Sequence, residues 1–402
     1  MKSLSILMFS WEFPPRKVGG ITPHVYGLSK ALVELGNEVH VITCDFPGAK
    51  DREIVEGVRV YRTRSYDINT PDFVTWAMEM NYYMQKEAVK ILGKENIDIL
   101  HAHDWMVAPA AISCKHGFRK PLIVTIHSTE YGRRRGIHSE YQNSIHQTEW
   151  WITYEAWRVI CCSSSMKEEV CSVLGVSWDK VYVIPNGVER DKIGVRKECP
   201  MEIRNKFASP NEKIVLYVGR LVPEKGANVL IGAIPKVLSV MPNVKFVIVG
   251  DGFMRDELHK IAWNLGVYDK CYFTGYVDDP TLEALYSCAD VATFPSIYEP
   301  FGIVALEAMS RGTPVVVSDT GGLREIVEHD FNGVKVEVDN SDSLAWGILH
   351  VLKNPSHARK LVENSRKKLR ETYNWINIAK KTEKVYMEVY DEYSMGDWKI
   401  KV

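Results

Sequence analysis

Short apolar, β-branched runs alternate with longer amphipathic stretches along most of the 402-residue chain. In the first half, Leu4–Phe9, Glu38–Thr43, Val58–Arg62, Asp98–His101, Leu122–Ile126, Val159–Cys162 and Val181–Ile184 predict strands. Between them His24–Leu35, Phe73–Leu92, Ala108–His116 and Met166–Val173 carry a helical period, and Gly36 stands where a helix C-terminal glycine belongs. The cycle restarts with strands at Ile214–Val218, Lys245–Val249, Tyr272–Phe273, Val291–Phe294, Pro314–Val317 and Val334–Val336. Helices are expected at Ala227–Met241, Met254–Leu265, Leu282–Cys288, Ile303–Ser310 and Leu344–Leu352, with two more after Pro355. Alternation of this kind gives an α/β fold: two doubly wound, parallel-sheet domains, with ligands in a cleft outside the carboxyl ends of the strands.

The polar, proline-bearing stretch Glu189–Pro210 lacks a strong period and reads as the interdomain linker. The expected division is therefore an N-terminal domain over 1–195, a C-terminal domain over 196–374, and a helix over 375–402 that packs back on the first domain. Groups for substrate on both domains further imply closure over a ligand and expulsion of water.

Composition narrows the class. Apolar residues make up 46% and charged residues 25%, which is globular, and a net charge of −1 leaves no bulk basic field for nucleic acid. The longest apolar runs are too short to span a bilayer, and no signal peptide is evident. Eight cysteines occur without a CxxC pair, and the adjacent Cys161 and Cys162 suit reduced core thiols, so a cytoplasmic location is expected.

Candidate chemistry gathers at strand ends. In PSIYEPFGIVALE, Glu299 precedes a helix and Glu307 lies eight residues on. Two carboxylates so placed can accept hydrogen bonds from two sets of hydroxyls, one on a sugar and one on a ribose, with first-turn amides facing an anion between them. A capped helix with both acids in solvent fits the same spacing. Gly219–Gly226 carries Arg220 and Lys225 directly after a strand, a pattern that suits a diphosphate and equally a polar loop with two solvated cations. Gly19-Gly20, Gly250-Asp251-Gly252 and Gly321-Gly322 are weaker turn or phosphate-approach signals. His101, His103 and Asp104 share a strand end but lack further ligands in the sequence, so no metal is assigned; His127 ends another strand. Trp150, Trp151, Tyr154 and Trp157 form an aromatic stretch for which helix packing is the default reading, although aromatic faces also line carbohydrate sites.

Together these residues resemble a known family. PSIYEPFGIVALEAMSRGTPVV is similar to the donor signature of family-four GT-B retaining glycosyltransferases, and VGRLVPEKG to their diphosphate loop. The likeness extends to FSWEFPPRKVGGITPHVYGLSKALVELGNEVHVIT, LHAHDW, TIH and IPNGV, and so covers most of the chain. It implies that Arg220 and Lys225 neutralise the donor diphosphate, that Glu307 binds the ribose, and that Glu299 with Phe301, Gly302 and Ile303 holds the transferred sugar. Gly19 and Gly20 would let their loop approach the phosphates and acceptor, His127 would meet the sugar, and Asp104 would support the acceptor side. The resemblance further implies retention of configuration and no required metal or other cofactor. The partners it implies are a nucleotide sugar and a carbohydrate acceptor.

SWEFPPRKVGG, HAHDW and TIHSTEYGRRRG are most similar to glycogen-synthase-like members. They imply glucose transfer to the 4-hydroxyl at the non-reducing end of an α-1,4-glucan. The loop after the first glycine pair departs from that pattern, leaving ADP-glucose and UDP-glucose open as donors. A small or lipid-linked acceptor is the alternative, and the sequence assigns no oligomeric state.

Overall fold

A computed structural model describes residues 3–65, 69–189, 193 and 199–398. The chain divides into two compact units: residues 1–187 with 375–402, and residues 188–374.

The first unit is built on strands β1 (Ser5–Phe9), β2 (Glu38–Cys44), β3 (Arg52–Val55), β4 (Val58–Thr63), β5 (Ile99–His103), β6 (Leu122–Ile126), β7 (Arg158–Cys161) and β8 (Val181–Val183). They form one sheet in the order β3-β4-β2-β1-β5-β6-β7-β8. All neighbours are parallel except β3 and β4. The parallel core strands read as unbroken apolar runs because helices cover both faces. Those helices are α1 (Ile21–Glu34), α2 (Phe73–Leu92), α3 (Ala108–Phe118), α4 (Glu130–Arg134), α5 (Glu140–Glu155) and α6 (Ser164–Leu174). Gly36 follows α1 at φ 92°, and the Gly36 and Asn37 amides close the helix on the carbonyls of Val33 and Leu32.

The second unit holds α7 (Met201–Phe207), β9 (Lys213–Val218), α8 (Ala227–Val240), β10 (Val244–Val249), α9 (Arg255–Asn264), β11 (Cys271–Gly275) and α10 (Asp279–Cys288). It continues with β12 (Val291–Phe294), α11 (Ile303–Ser310), β13 (Val315–Ser318), α12 (Gly321–Ile326), β14 (Val334–Val336), α13 (Ser341–Lys353) and α14 (Pro355–Glu371). Its sheet is wholly parallel, in the order β11-β10-β9-β12-β13-β14. The last helix, α15 (Trp375–Met395), belongs to the first unit. There the Tyr386 hydroxyl meets His101 Nδ1 at 2.6 Å, and Asn37 Nδ2 donates to Glu383 Oε1 at 2.7 Å.

Strand order reverses direction once in each sheet, between β1 and β5 and between β9 and β12. At such a point the connections leave to opposite sides and open a crevice at the strand ends, where ligands of doubly wound folds bind.

Four details depart from the sequence reading. Strand β3 is an extra edge strand that pairs antiparallel with β4 through the turn at Glu56 and Gly57, both at positive φ. Helix α7 occupies part of the expected linker; Phe207 is its sole buried residue, so no apolar period marks it. Cys199 and Cys288 form a disulfide across 89 residues, a pairing the sequence reading did not assign; Cys161 and Cys162, expected as reduced core thiols, are free and buried. Finally, Trp150, Trp151 and Tyr154 are exposed on α5, with Trp150 and Tyr154 stacked at 5.4 Å, rather than packed.

Candidate functional site

Two clusters form, one at each reversal of strand order. In the second unit the loop after β9 and the loop after β12 interlock. The Ile297 and Tyr298 amides both donate to the Glu224 carbonyl, at 2.9 and 3.2 Å. Beneath the first loop the buried Tyr217 hydroxyl donates to the carbonyls of Arg220 and Lys225, at 3.2 and 3.4 Å. A side chain at Gly226 would strike the Pro295 carbonyl, and one at Gly250 the Gly219 carbonyl, so both positions allow backbone to approach backbone.

This interlocking brings Lys225 Nζ to 2.7 Å from Glu299 Oε2, which also accepts from Ser296 Oγ at 3.1 Å. Glu299 is 7% exposed. A carboxylate held by a cation and a hydroxyl is anchored for accepting hydrogen bonds. Arg220 is half-exposed, with Nη2 3.4 Å from Glu224 Oε1. Gly302 caps α11 at φ 104°, a conformation that disfavours side chains, and an added Cβ would meet Leu323 Cδ2 at 2.5 Å. Gly321 and Gly322 lie against the same loop, the Gly322 amide donating to the Glu299 carbonyl at 2.9 Å. Phe301 is buried, Ile303 opens α11 half-buried, and Glu307 stands one turn on, where Oε2 accepts from the Tyr286 hydroxyl at 3.3 Å.

In the first unit the loops after β1, β5 and β6 carry the other candidates. Gly19 and Gly20 lead into α1, but the Val18 and Gly19 amides are bound by the buried Glu12 carboxylate, each at 2.9 Å. That carboxylate takes the place a phosphate would need on those two amides; the space beside Gly20 is open. Asp104 is buried at φ 66° and accepts from the His127 amide at 3.0 Å. Burial pushes the Asp104 carboxyl up to about 6, opposed by the Arg133 guanidinium and the His127 amide.

His24, His103 and His127 form a trio whose ring nitrogens lie within 4.8 Å of one another, a spacing compatible with a metal ion. His103 Nδ1 is 3.3 Å from His127 Nε2, and His24 Nδ1 is 2.6 Å from Asn186 Oδ1. Burial lowers His24 to about 4 and His101 to about 3, and puts His103 and His127 well below the ordinary imidazole range. All four are neutral at pH 7. His101 stays apart: its nitrogens engage Tyr386 and Thr125 Oγ1, so it locks α15 to the sheet.

Sequence reasoning passed over Glu12, His24 and Asn186 as site residues. Glu12 and His24 sit inside FSWEFPPRKVGGITPH, and Asn186 inside IPNGV, so the motif was visible while the pairings were not. Tyr217 was hidden in an apolar strand run.

Comparison with known proteins matches each of the two units to a family model. Residues 18–192 match the family model described as Glycosyltransferase Family 4, and residues 201–368 that of Glycosyl transferases group 1. An uncharacterized glycosyltransferase of Methanocaldococcus jannaschii, MJ1607, is 45% identical, covering 95% of this chain and 98% of its own. A glycogen synthase of Mycobacterium tuberculosis is 34% identical, with 96% and 94% covered. Among solved structures, sucrose-phosphate synthase from Thermosynechococcus elongatus superposes with a TM-score of 0.82 at 25% identity, over 97% of this chain and 100% of that one. No described helix is long and apolar enough to cross a membrane. The chain belongs to the family-four GT-B glycosyltransferases and is glycogen-synthase-like.

Proposed function

We propose that this chain transfers glucose, with retention and without a catalytic metal, from ADP-glucose or UDP-glucose to the 4-hydroxyl at the non-reducing end of an α-1,4-glucan. The observation that carries the reading is the Lys225–Glu299 pair where the β9 and β12 loops interlock, with Arg220 in the same β9 loop. The glucan acceptor draws its support from the 34% identity to a glycogen synthase over nearly the full length.

In this reading Arg220 and Lys225 face the diphosphate, whose negative charge grows as the bond to C1 of the sugar breaks, so the cations act chiefly in the transition state. Glu299 accepts from hydroxyls of the transferred glucose, and Glu307 from the ribose. His127, neutral because it is desolvated, is suited to accept or donate one hydrogen bond beside the sugar. As the acceptor oxygen bonds to C1 on the face the diphosphate leaves, its proton passes to a departing phosphate oxygen. No enzyme nucleophile is then required, and Glu299, already bound to Lys225 and Ser296, is suited to holding hydroxyls rather than to attack.

Incubation with ADP-glucose and UDP-glucose, with and without maltooligosaccharides, tests the reading. Nucleotide release is expected to depend on the glucan; release that never depends on it refutes the acceptor. The likeness to sucrose-phosphate synthase favours, as a second reading, transfer to a small sugar acceptor, which the same assay separates by acceptor panel.

A further inference from the structure

A second set of converging ligands lies elsewhere in the second unit. Asp330 belongs to the turn just before β14, at the amino end of that strand, whereas the interlocked loops after β9 and β12 lie at carboxyl ends. His350 is in the last turn of α13 and His357 in the first turn of α14. Both imidazoles point Nε2 at one atom, Asp330 Oδ1, at 3.1 and 3.2 Å. The three ligand atoms all lie within 4.8 Å of one another.

We propose that Asp330, His350 and His357 form a binding site for a divalent transition-metal ion of the zinc class, which ties the turn before β14 to α13 and α14. The spacing fits: bond lengths of about 2.0–2.1 Å in a tetrahedron put ligand atoms about 3.3 Å apart. Two imidazoles and one carboxylate favour zinc, cobalt or nickel over magnesium and calcium, which prefer all-oxygen sets. Three protein ligands leave a fourth position for water.

The surroundings hold these groups in place. Asp330 adopts φ 57°, and its amide donates to the Gly333 carbonyl at 2.8 Å. Inside the turn the buried Asn332 accepts from the Glu328 amide at 2.7 Å and donates to the Ile326 carbonyl at 3.1 Å. Asn364 and Ser365 of α14 donate to the carbonyls of Phe331 and Asn332, at 2.8 and 2.6 Å. His329 Nδ1 accepts from the Lys335 amide at 3.0 Å, which leaves the ring proton on Nε2, 3.6 Å from Asp330 Oδ2. The first carboxylate oxygen faces the two imidazoles, while the second lies near, but beyond hydrogen-bond reach of, the His329 ring. The Trp346 ring stacks on His350 at 5.1 Å and 13°. Because the site shares no residue with the proposed transfer machinery, metal-free transfer and metal binding here are independent claims.

Titration of untagged, full-length protein with ZnCl2 in a calorimeter tests the proposal, with melting curves alongside. One equivalent is expected to bind, raising the melting temperature by about 5 °C or more at a hundredfold excess over Kd. His350→Ala and His357→Ala should each weaken binding at least tenfold while melting like the parent without zinc, and His127→Ala should bind zinc as the parent does. His329→Gln should weaken it less than either ligand. The proposal is overturned if no zinc binds, or if binding survives both His350→Ala and His357→Ala. It is also overturned if binding is lost in His127→Ala, which would assign the ion to the buried trio.

Discussion

The two reversals of strand order, β1/β5 and β9/β12, occur in sheets of the same design yet are furnished in opposite ways. At β9/β12 the groups are charged and already partnered, Lys225 with Glu299 and Arg220 near Glu224. At β1/β5 the groups are desolvated: neutral histidines, an Asp104 pushed up to about 6, and a Glu12 spent on its own loop amides. In the proposed reaction the β9/β12 crevice would meet a polyanion, whose charge offsets the loss of water around cations. The other would meet neutral hydroxyls with uncharged imidazoles, each able to donate on one nitrogen and accept on the other. That division of labour suits a reaction in which a diphosphate leaves and a hydroxyl arrives.

The comparison breaks most sharply at the cations. Lys225→Ala should lower kcat/KM by about a hundredfold or more, because transition-state charge is left unpaired. Arg220→Ala should do the same, and steady-state kinetics returning parent values for either would remove that residue from the site.

Next in size is Gly302→Ala. A Cβ at φ 104° meets Leu323, so the variant should lose about 2 kcal/mol in denaturant unfolding, from strain and overpacking together. Full stability would mean that the loop holds Glu299 less tightly than its geometry implies.

A pH profile sharpens the contrast from the other side. Buried histidines with lowered pKa bind fewer protons folded than unfolded, so their contribution to stability is lost as pH falls below about 6.5. Asp104 and Glu149, the latter raised by burial to about 8, oppose this, since they hold protons in the folded state and lose stability as pH rises. His24, His101, His103 and His127, all lowered by burial, outnumber the two acids, so stability should fall as pH drops from about 6 to about 5. At pH 6.5 about half of each histidine is still protonated in the unfolded chain, so stability should peak near pH 7, above which Glu149 leads the fall and Glu149→Gln should flatten it. A stability curve without that acid fall would mean the histidines are charged in the folded protein.

The smallest expected effect is at Glu307. Its replacement by Ala should weaken nucleotide binding by about tenfold, the loss of a charged hydrogen-bond acceptor. Calorimetry with ADP or UDP reads it, and an effect confined to acceptor KM would contradict the ribose role.

What could be read from sequence follows from range. The core strands, such as Leu122–Ile126, announce themselves as continuous apolar runs because parallel strands are buried on both faces. Arg52–Val55 did not, since an edge strand with alternating exposed positions looks like a polar loop. Arg220, Lys225, Glu299 and Glu307 were legible because local motifs hold them. The His24–His103–His127 trio was not, because it joins a helix, a strand end and a loop more than twenty residues apart, and neither was the Cys199–Cys288 bond, which spans 89 residues.

The most direct test of glucose transfer with retention is proton NMR of the product formed from nucleotide glucose and a maltooligosaccharide. The expected spectrum gains one α-1,4-linked glucose signal per nucleotide released, in the parent and not in Lys225→Ala. A β-linked product, or nucleotide release without a lengthened glucan, would contradict it.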